Sequence, residues 1–543
     1  MRRLRMTTCA LALVFCAAPA GARVNVPGQH WGDWYDSANR DKDGFFSELS
    51  LINYFLTRAM VTNQMPDPAG LRGVALGPIG VGKSIGSATR VHGDSDAFLV
   101  EQRWIPVLTF SPFFTSGWAA FRAAIEADFA WGIAANSVQP NVGGGFNADE
   151  VNIQTKTVYA AVFPTKRAEK LAVLIGTQPV YDSILNPHTT SLHDIVRTGY
   201  KLSFLGSDAT GLTVYSSYLG HAKLGFLPLG ASQPDKALKD DPSFKWVYLI
   251  TADLAYPVMP GTVLGLTYWH LQDDSQGKAY AYEGLVNSGP ASSGLSSFTG
   301  TGRLDMDNPS GHVEYVGFNF HHNIKFNAGP LAASGFVMYN GGSFESKKED
   351  TQRLKEVKVS GLAANLELLY NFGKTRDDVA TAEVMYSTGD SDPNDDRYSS
   401  PFTMNFYGLP GAVWFNHKSL LLFPFTTTVG NYTGAVVDIA NQGFGLFAAV
   451  VTGAYDVIPY KLNVKLGYAV ASCSANPPDL TQGVDRGRYI GSEINAEVRY
   501  HIRYLMTIGL HGAYMIRGSF YDGNDEVTAN PYAFFTSFTW YAF

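Results

Sequence analysis

The sequence predicts a transmembrane antiparallel β-barrel of the up-and-down type with about eighteen strands, and three observations carry that prediction. The first is period-two alternation at membrane-spanning length. Across 121–133 one face reads Phe121, Ala123, Ile125, Ala127, Phe129 and Trp131, while the other carries Arg122, Glu126 and Asp128. Across 490–502 the set Ile490, Ser492, Ile494, Ala496, Val498, Tyr500 and Ile502 opposes Gly491, Glu493, Asn495, Glu497, Arg499 and His501. A helix would mix these sets, so each segment is a strand with one apolar and one charged face. The second observation is composition. Aromatics reach 13%, charged residues only 16%, and the mean hydropathy is −0.05 with 55 glycines. Alternating lipid-facing and water-facing residues give that average, and no apolar run beyond the first residues reaches the ~18 that a transmembrane helix needs. The third is the aromatic ribbon 532–543, which ends on Phe543. In a barrel the last strand pairs with the first, because an unpaired amide in lipid costs several kcal/mol.

Taken in chain order, residues 1–22 read as a secretory signal. Arg2, Arg3 and Arg5 form a basic start, an apolar stretch follows from Cys9, and Ala20-Gly21-Ala22 is a small-residue cleavage site. Cleavage lowers the basic residues from 41 to 38 against 48 acidic ones, a net charge of about −10 that argues against nucleic-acid binding. It also leaves Cys473 as the only cysteine, so no intrachain disulfide forms.

Residues 23–70 read as a separate periplasmic or lumen-plugging segment. Ser47 is placed to cap a helix running to about Met60, with Leu49, Ile52, Leu56 and Met60 on one face. Ahead of it, Asn39, Asp41, Asp43, Gly44 and Phe45 match the first half of a calcium loop, with Phe45 supplying a carbonyl. Ser50 stands where the bidentate acid belongs and Glu48 comes two residues early, so an Asx/Gly turn into the helix is the alternative reading. No other cofactor is expected.

The barrel is expected over 71–543, with a first, weaker strand near 71–83. That stretch runs into Gly77-Pro-Ile-Gly-Val-Gly82-Lys83-Ser84, which fits a phosphate-loop pattern letter for letter. Such a loop needs a helix after it, and Ile85-Gly-Ser-Ala-Thr is no helix start, so the match reads as coincidence. Further along, short turns are expected at 111–117, 165–170, 206–211, 257–261, 327–330, 373–377, 457–460 and 502–504. Long polar connections are expected near 85–96, 136–149, 182–198, 221–243, 274–311, 346–355, 391–433, 475–487 and 519–529. Strict short/long alternation separates tight periplasmic turns from outer loops and requires an even strand count, eighteen with sixteen as the alternative.

The water-facing sides of these strands supply the candidate pore-lining residues Arg103, Arg122, Glu126, Asp128, Lys156, Asp253, Glu367, Glu383, Lys465, Glu493, Glu497, Arg499 and Arg517, together with Glu101 and Lys245. Both signs occur in similar number. Rings of one sign select ions by charge, whereas a mixed lining suits small polar solutes. The bland alternative for each is a salt-bridged wall residue. No nucleophile and base stand in catalytic context, so no enzyme is expected. In the long connection 391–433, Phe406, Trp414, Phe415, Phe423 and Phe425 make it the expected inward-folding loop.

Terminal Phe543 with Tyr541 resembles the signal by which outer-membrane barrels are recognised for insertion, which implies the barrel-assembly machinery as a partner. The run 489–500, then 505–518, then the aromatic last strand, resembles the alginate-export family of outer-membrane barrels, as does 171–179 with Gly176-Thr-Gln178 where that family has Gly-Arg-Gln. The resemblance implies an eighteen-stranded barrel, embedded in outer-membrane lipid, through which a polar substrate diffuses. The sequence thus leads to an outer-membrane channel for small hydrophilic solutes. A dedicated exopolysaccharide conduit is the first alternative and a non-transporting surface barrel the second. An alginate conduit calls for a predominantly basic lumen, and this one reads as mixed.

Overall fold

In the computed structural model the chain forms one closed sheet of eighteen antiparallel wall strands, with the two-residue strand Arg397–Tyr398 pairing in parallel on Lys358–Val359. The described residues cover the strands, the turns and loop segments packed on them, and a few short ladders. Residues 1–48, 66–73, 76–89, 92–96, 111–117, 132–149, 165–170, 182–205, 229–246, 277–284, 287–297, 404–417, 424–434 and some shorter stretches lie outside them. The signal, the calcium-loop residues Asn39, Asp41, Asp43 and Phe45, the phosphate-loop match and Lys245 fall on these stretches.

The wall begins with β1 (Leu49–Thr62), β2 (Ala97–Phe110), β3 (Ala119–Trp131), β4 (Glu150–Val162) and β5 (Leu171–Tyr181). It continues through β6 (Gly206–Ser216), β7 (His221–Pro228), β8 (Val247–Met259) and β9 (Thr262–Asp273). Next come β10 (Pro309–His322), β11 (Leu331–Ser346), β12 (Glu356–Asn371) and β13 (Val379–Ser387). It ends with β14 (Leu446–Ile458), β15 (Leu462–Ser472), β16 (Tyr489–Arg503), β17 (Met506–Arg517) and β18 (Tyr532–Ala542). Each strand pairs with its sequence neighbours, and β1 pairs with β18 from Asn53↔Ala542 to Thr62↔Ala533. That pairing closes the sheet and removes both edges. Short turns and long loops alternate throughout, so both ends of the wall lie on the short-turn side.

Side-chain alternation fixes which face meets lipid. In β16, Ile494 and Val498 are exposed while Glu493, Asn495 and Glu497 are buried. In β17, Ile508, Leu510 and Tyr514 alternate with Thr507, His511, Ala513 and Met515 in the same way. The outer face is therefore apolar, and ten such residues tilted at ~40° cover the ~25 Å apolar band of a bilayer. Aromatics gather toward its margins. Tyr370, Phe372, Tyr455, Tyr460 and Tyr500 stand near the short turns, and Tyr386, Phe447, Tyr514 and Phe534 near the long loops.

Three sequence expectations are corrected. The expected helix running to Met60 is a strand from Leu49 onward: Leu49–Thr62 is β1, so the wall starts at Leu49 rather than near residue 71. Leu49 and Leu51 face outward while Tyr54 and Leu56 are buried inside. Apolar residues on both faces erase the period-two signal, and the spacing of Leu49, Ile52, Leu56 and Met60 imitates a helix. Closure decides the matter, because β18 and β2 both need this partner. Within the expected first strand 71–83, Val74–Ala75 pairs with Arg90–Val91, which also pairs with Gln64–Met65, in a small ladder separate from the wall. The segment 206–211, placed as a turn, is the start of β6; the chain reverses between Ser216 and His221, with Gly220 at φ +85°. His221–Pro228, taken as loop, is therefore β7.

Gly211 marks a close backbone approach, not a turn. A Cβ there would lie 2.3 Å from the carbonyl oxygen of Phe226 and 2.7 Å from a methyl of Leu227. Gly211→Val is expected to disrupt the β6–β7 pairing at a cost of about 1–3 kcal/mol or more. The check is the fraction of heat-modifiable, barrel-form protein on unheated gels, which should fall well below that of wild type.

Candidate functional site

The described parts of the connection 388–445, between β13 and β14, pack against the inner wall. They carry Lys418, Ser419 and the run Leu420, Leu421, Leu422 and Phe423, buried among inward side chains. The aromatic expectation for this loop holds at Phe423, while Phe406, Trp414, Phe415 and Phe425 lie outside the described residues. Two carboxylate seats hold the segment.

Glu493 of β16 forms the first seat, and its carboxylate is wholly buried. It accepts from Ser419 Oγ at 2.5 Å and from the amides of Leu420, Leu421 and Leu422 at 2.7, 2.9 and 2.6 Å. Successive backbone amides around one anion form a nest, which satisfies charge and donors together. Asn495 Nδ2 braces the seat, donating to Glu493 at 2.9 Å and to the Lys418 carbonyl at 3.1 Å.

Glu367 of β12 and Glu383 of β13 form the second. They are direct cross-strand neighbours and both are buried. Two carboxylates so placed repel each other. The Lys418 ammonium bridges them, pairing with both. Ser334 donates to Glu367 at 3.1 Å and Asn365 to Glu383 at 2.7 Å. Farther along, Tyr315 Oη donates to the Phe402 carbonyl at 2.8 Å, and Phe402 stacks on Phe344 at 5.3 Å. All these contacts lie on β10 to β16, so the described loop lines one side of the lumen.

Across the barrel seam runs a second polar row. Lys465 pairs with Glu497, and His511 Nδ1 lies 2.8 Å from the same carboxylate. His511 stacks on Phe535 at 4.4 Å, and the Arg58 guanidinium lies 5.0 Å from that ring while pairing with Glu101. On the far wall Asp253 pairs with Lys223 at 2.8 Å and accepts from Thr267 at 2.7 Å and Trp269 at 3.2 Å.

The structure thus places Glu101, Arg103, Arg122, Asp253, Glu367, Glu383, Lys465, Glu493 and Glu497 on the inner face as buried residues, with Arg499 half-buried beside them. Arg517 instead ends β17 as an exposed residue at the long-loop rim, because the strand stops there. The side chains of Glu126, Asp128 and Lys156 lie outside the described residues. Sequence reasoning missed Arg58, Lys223, Lys418 and His511. Lys418 sits in a loop without periodicity, and Arg58 was concealed by the helix reading. Lys223 was concealed by the displaced turn. His511 lies in β17, where alternation with Leu510 and Gly512 could have flagged it.

At the mouth of the loop, Arg486 is buried with its guanidinium 3.9 Å from the Phe520 ring and 5.7 Å from Phe444, and Nε donates to the Phe520 carbonyl at 2.7 Å. Burial pushes it down to about 10. Cys473 beside it is pushed up to about 12, also by burial, and stays a thiol. Asp390 anchors the loop root, accepting from the amides of Asp392 at 3.1 Å and Ser399 at 3.4 Å. Burial, then the charges of Asp395 and Asp392, push its carboxyl up to about 6. A raised carboxyl favours the packed state when protonated. Its contribution is full below the ordinary value of 3.8 and is lost as pH rises through about 6. Asp390→Asn is therefore expected to hold the loop root at neutral pH as firmly as acid holds wild type. Tryptic cleavage within 388–445 should rise between about pH 4 and about pH 7 in wild type, and this pH dependence should flatten in the variant.

No protein-family model matches the sequence, and no curated protein matches it at a significant level. Similar solved structures include OccAB2 of Acinetobacter baumannii, at 12% identity over 92% of this chain and 99% of that one, with a TM-score of 0.46. The outer membrane protein OprD of Pseudomonas aeruginosa is similar at 11% identity over 93% and 96%, with a TM-score of 0.43. OpdK of Pseudomonas aeruginosa, solved with vanillate, is similar at 13% over 91% and 98%, also at 0.43. Closure of the sheet stands on this chain's own strand pairing. The resemblance of 489–518 to the alginate-export family gains no support from these neighbours.

Proposed function

We propose that the chain is an outer-membrane channel passing small hydrophilic solutes by passive diffusion, with loop 388–445 setting its constriction. One observation carries this reading: a closed wall, apolar outside, has an inner face of paired charges against which a loop is seated by Glu493, Glu367 and Glu383. Charged groups of both signs on the inner face suit polar solutes without demanding one sign. Insertion would use the assembly machinery that reads the last strand, and outer-membrane lipid would surround the wall.

A polyanion exporter would need a basic lumen, and five buried glutamates on the inner face, Glu101, Glu367, Glu383, Glu493 and Glu497, disfavour it. A sealed surface barrel is favoured by one feature, the apolar run Leu420 to Phe423 buried against the inner wall. Liposome swelling separates the readings. A channel admits sugars and amino acids at rates that fall with solute size, a sealed barrel admits none, and a dedicated conduit is blocked by one oligosaccharide.

A further inference from the structure

The outer face carries a feature that solute passage does not use. A ladder of rings crosses four strands near the long loops. Phe226 of β7 lies 5.7 Å from Tyr248 of β8, Tyr248 lies 6.1 Å from His270 of β9, and His270 lies 6.3 Å from His312 of β10 in a stacked pair. These residues share the outward parity of Leu224, Leu254, Leu266, Val316 and Phe318, all exposed toward lipid. The ladder is thus a stretch of the aromatic margin in which two of four rings are imidazoles.

A polar ring on a lipid-facing wall is costly in the apolar band and stable at the headgroup level. Here it is also braced. His270 Nδ1 lies 2.6 Å from Glu314 Oε1 in an ion-pair contact. With Nδ1 committed, Nε2 is the nitrogen through which His270 can meet a headgroup oxygen, and His312 stands exposed beside it. The groups around the pair are Tyr248 from β8, Tyr268 and Gln272 from β9, Glu314 from β10, and Ser343 facing His312 from β11. Gln272 in turn donates to Asp274 at 2.8 Å. Glu345, paired with Lys347, and the exposed Lys358 lie farther along β11 and β12.

We propose that His270 and His312 form a protonation-dependent contact for the phosphomonoester of an outer-leaflet lipid A headgroup, which carries more negative charge than the phosphodiester of phosphatidylcholine. An imidazole is the side chain that gains charge near neutral pH, and a phosphate is the anion that stands at this depth in a membrane. Glu314 positions His270 and meets its imidazole with one carboxylate oxygen. The inference rests on the membrane reading of the wall.

The test is the unfolding midpoint by heat-modifiable migration of the full chain. The protein is reconstituted either in phosphatidylcholine vesicles or in vesicles that also contain lipid A. Wild type should show a higher midpoint with lipid A, and the shift should be larger at about pH 5.5 than at about pH 7.5. The His270→Gln/His312→Gln variant should keep the wild-type midpoint in phosphatidylcholine and lose the lipid A shift. A variant that retains the shift, or a wild type without one, overturns the proposal. Inorganic phosphate added to the phosphatidylcholine vesicles should leave the midpoint unchanged; an equal shift would overturn the lipid as the source. A heat-modifiable band in both vesicles shows that the barrel reading stands whichever way the lipid result falls.

Discussion

Replacing Lys418 with methionine is expected to release loop 388–445 from the lumen while leaving the barrel intact. In the native seat the ammonium is the group bridging Glu367 and Glu383, whose buried carboxylates face each other across β12 and β13. Removing it leaves two buried like charges. Breaking one partner from a buried ion pair costs about 3–5 kcal/mol. That range corresponds to roughly a hundredfold or more in the ratio of seated to unseated loop. Strand hydrogen bonds do not involve Lys418, so heat-modifiable migration should persist. Protease added from the long-loop side should cut within 388–445 far faster than in wild type. The control is Lys418→Met combined with Glu367→Gln and Glu383→Gln. Removing a buried ion network as a whole is close to neutral, so slow cleavage should return.

The second large effect is expected at Glu493. Glu493→Ala leaves the Ser419 hydroxyl and the amides of Leu420, Leu421 and Leu422 without their common acceptor. Each buried donor left unsatisfied costs about 1–3 kcal/mol, so the segment should leave the wall or draw in water. Glu493→Gln keeps an acceptor oxygen but loses the charge, and its effect should be intermediate. Open-level current noise reads the difference, rising from wild type to Gln to Ala. Equal noise in all three proteins would show that the nest does not hold the loop.

The barrel itself was legible because its cause is local. Alternation such as Ile494, Ala496 and Val498 against Glu493, Asn495 and Glu497 needs no partner to be seen, and the structure places those sets on opposite faces. Two local rules misled. In β1 both faces are apolar around Tyr54 to Leu56, so the two-residue period vanished and a helical spacing took its place. At Gly206 to Gly211 the glycine composition suggested a turn, whereas Gly211 is needed where strand β7 approaches closely. In both cases a tertiary requirement, closure or close backbone contact, outweighed the local signal.

The site was legible in half. Glu367, Glu383, Glu493 and Glu497 stood out as charges on a strand face, yet what they bind did not. Lys418 and Ser419 lie in a connection with no period, and only the fold brings them to residues 35 to 74 positions away. The sequence therefore suggested wall charges lining a pore, while the structure shows that several are consumed in seating a loop.

The central claim, a solute channel narrowed by a seated loop, is tested most directly by single-channel conductance in planar bilayers, with wild type and Lys418→Met measured side by side. Wild type should give ohmic steps, and the variant should give larger ones from a barrel of unchanged heat-modifiable migration. A wild type that never conducts, or equal steps from both proteins, would contradict it.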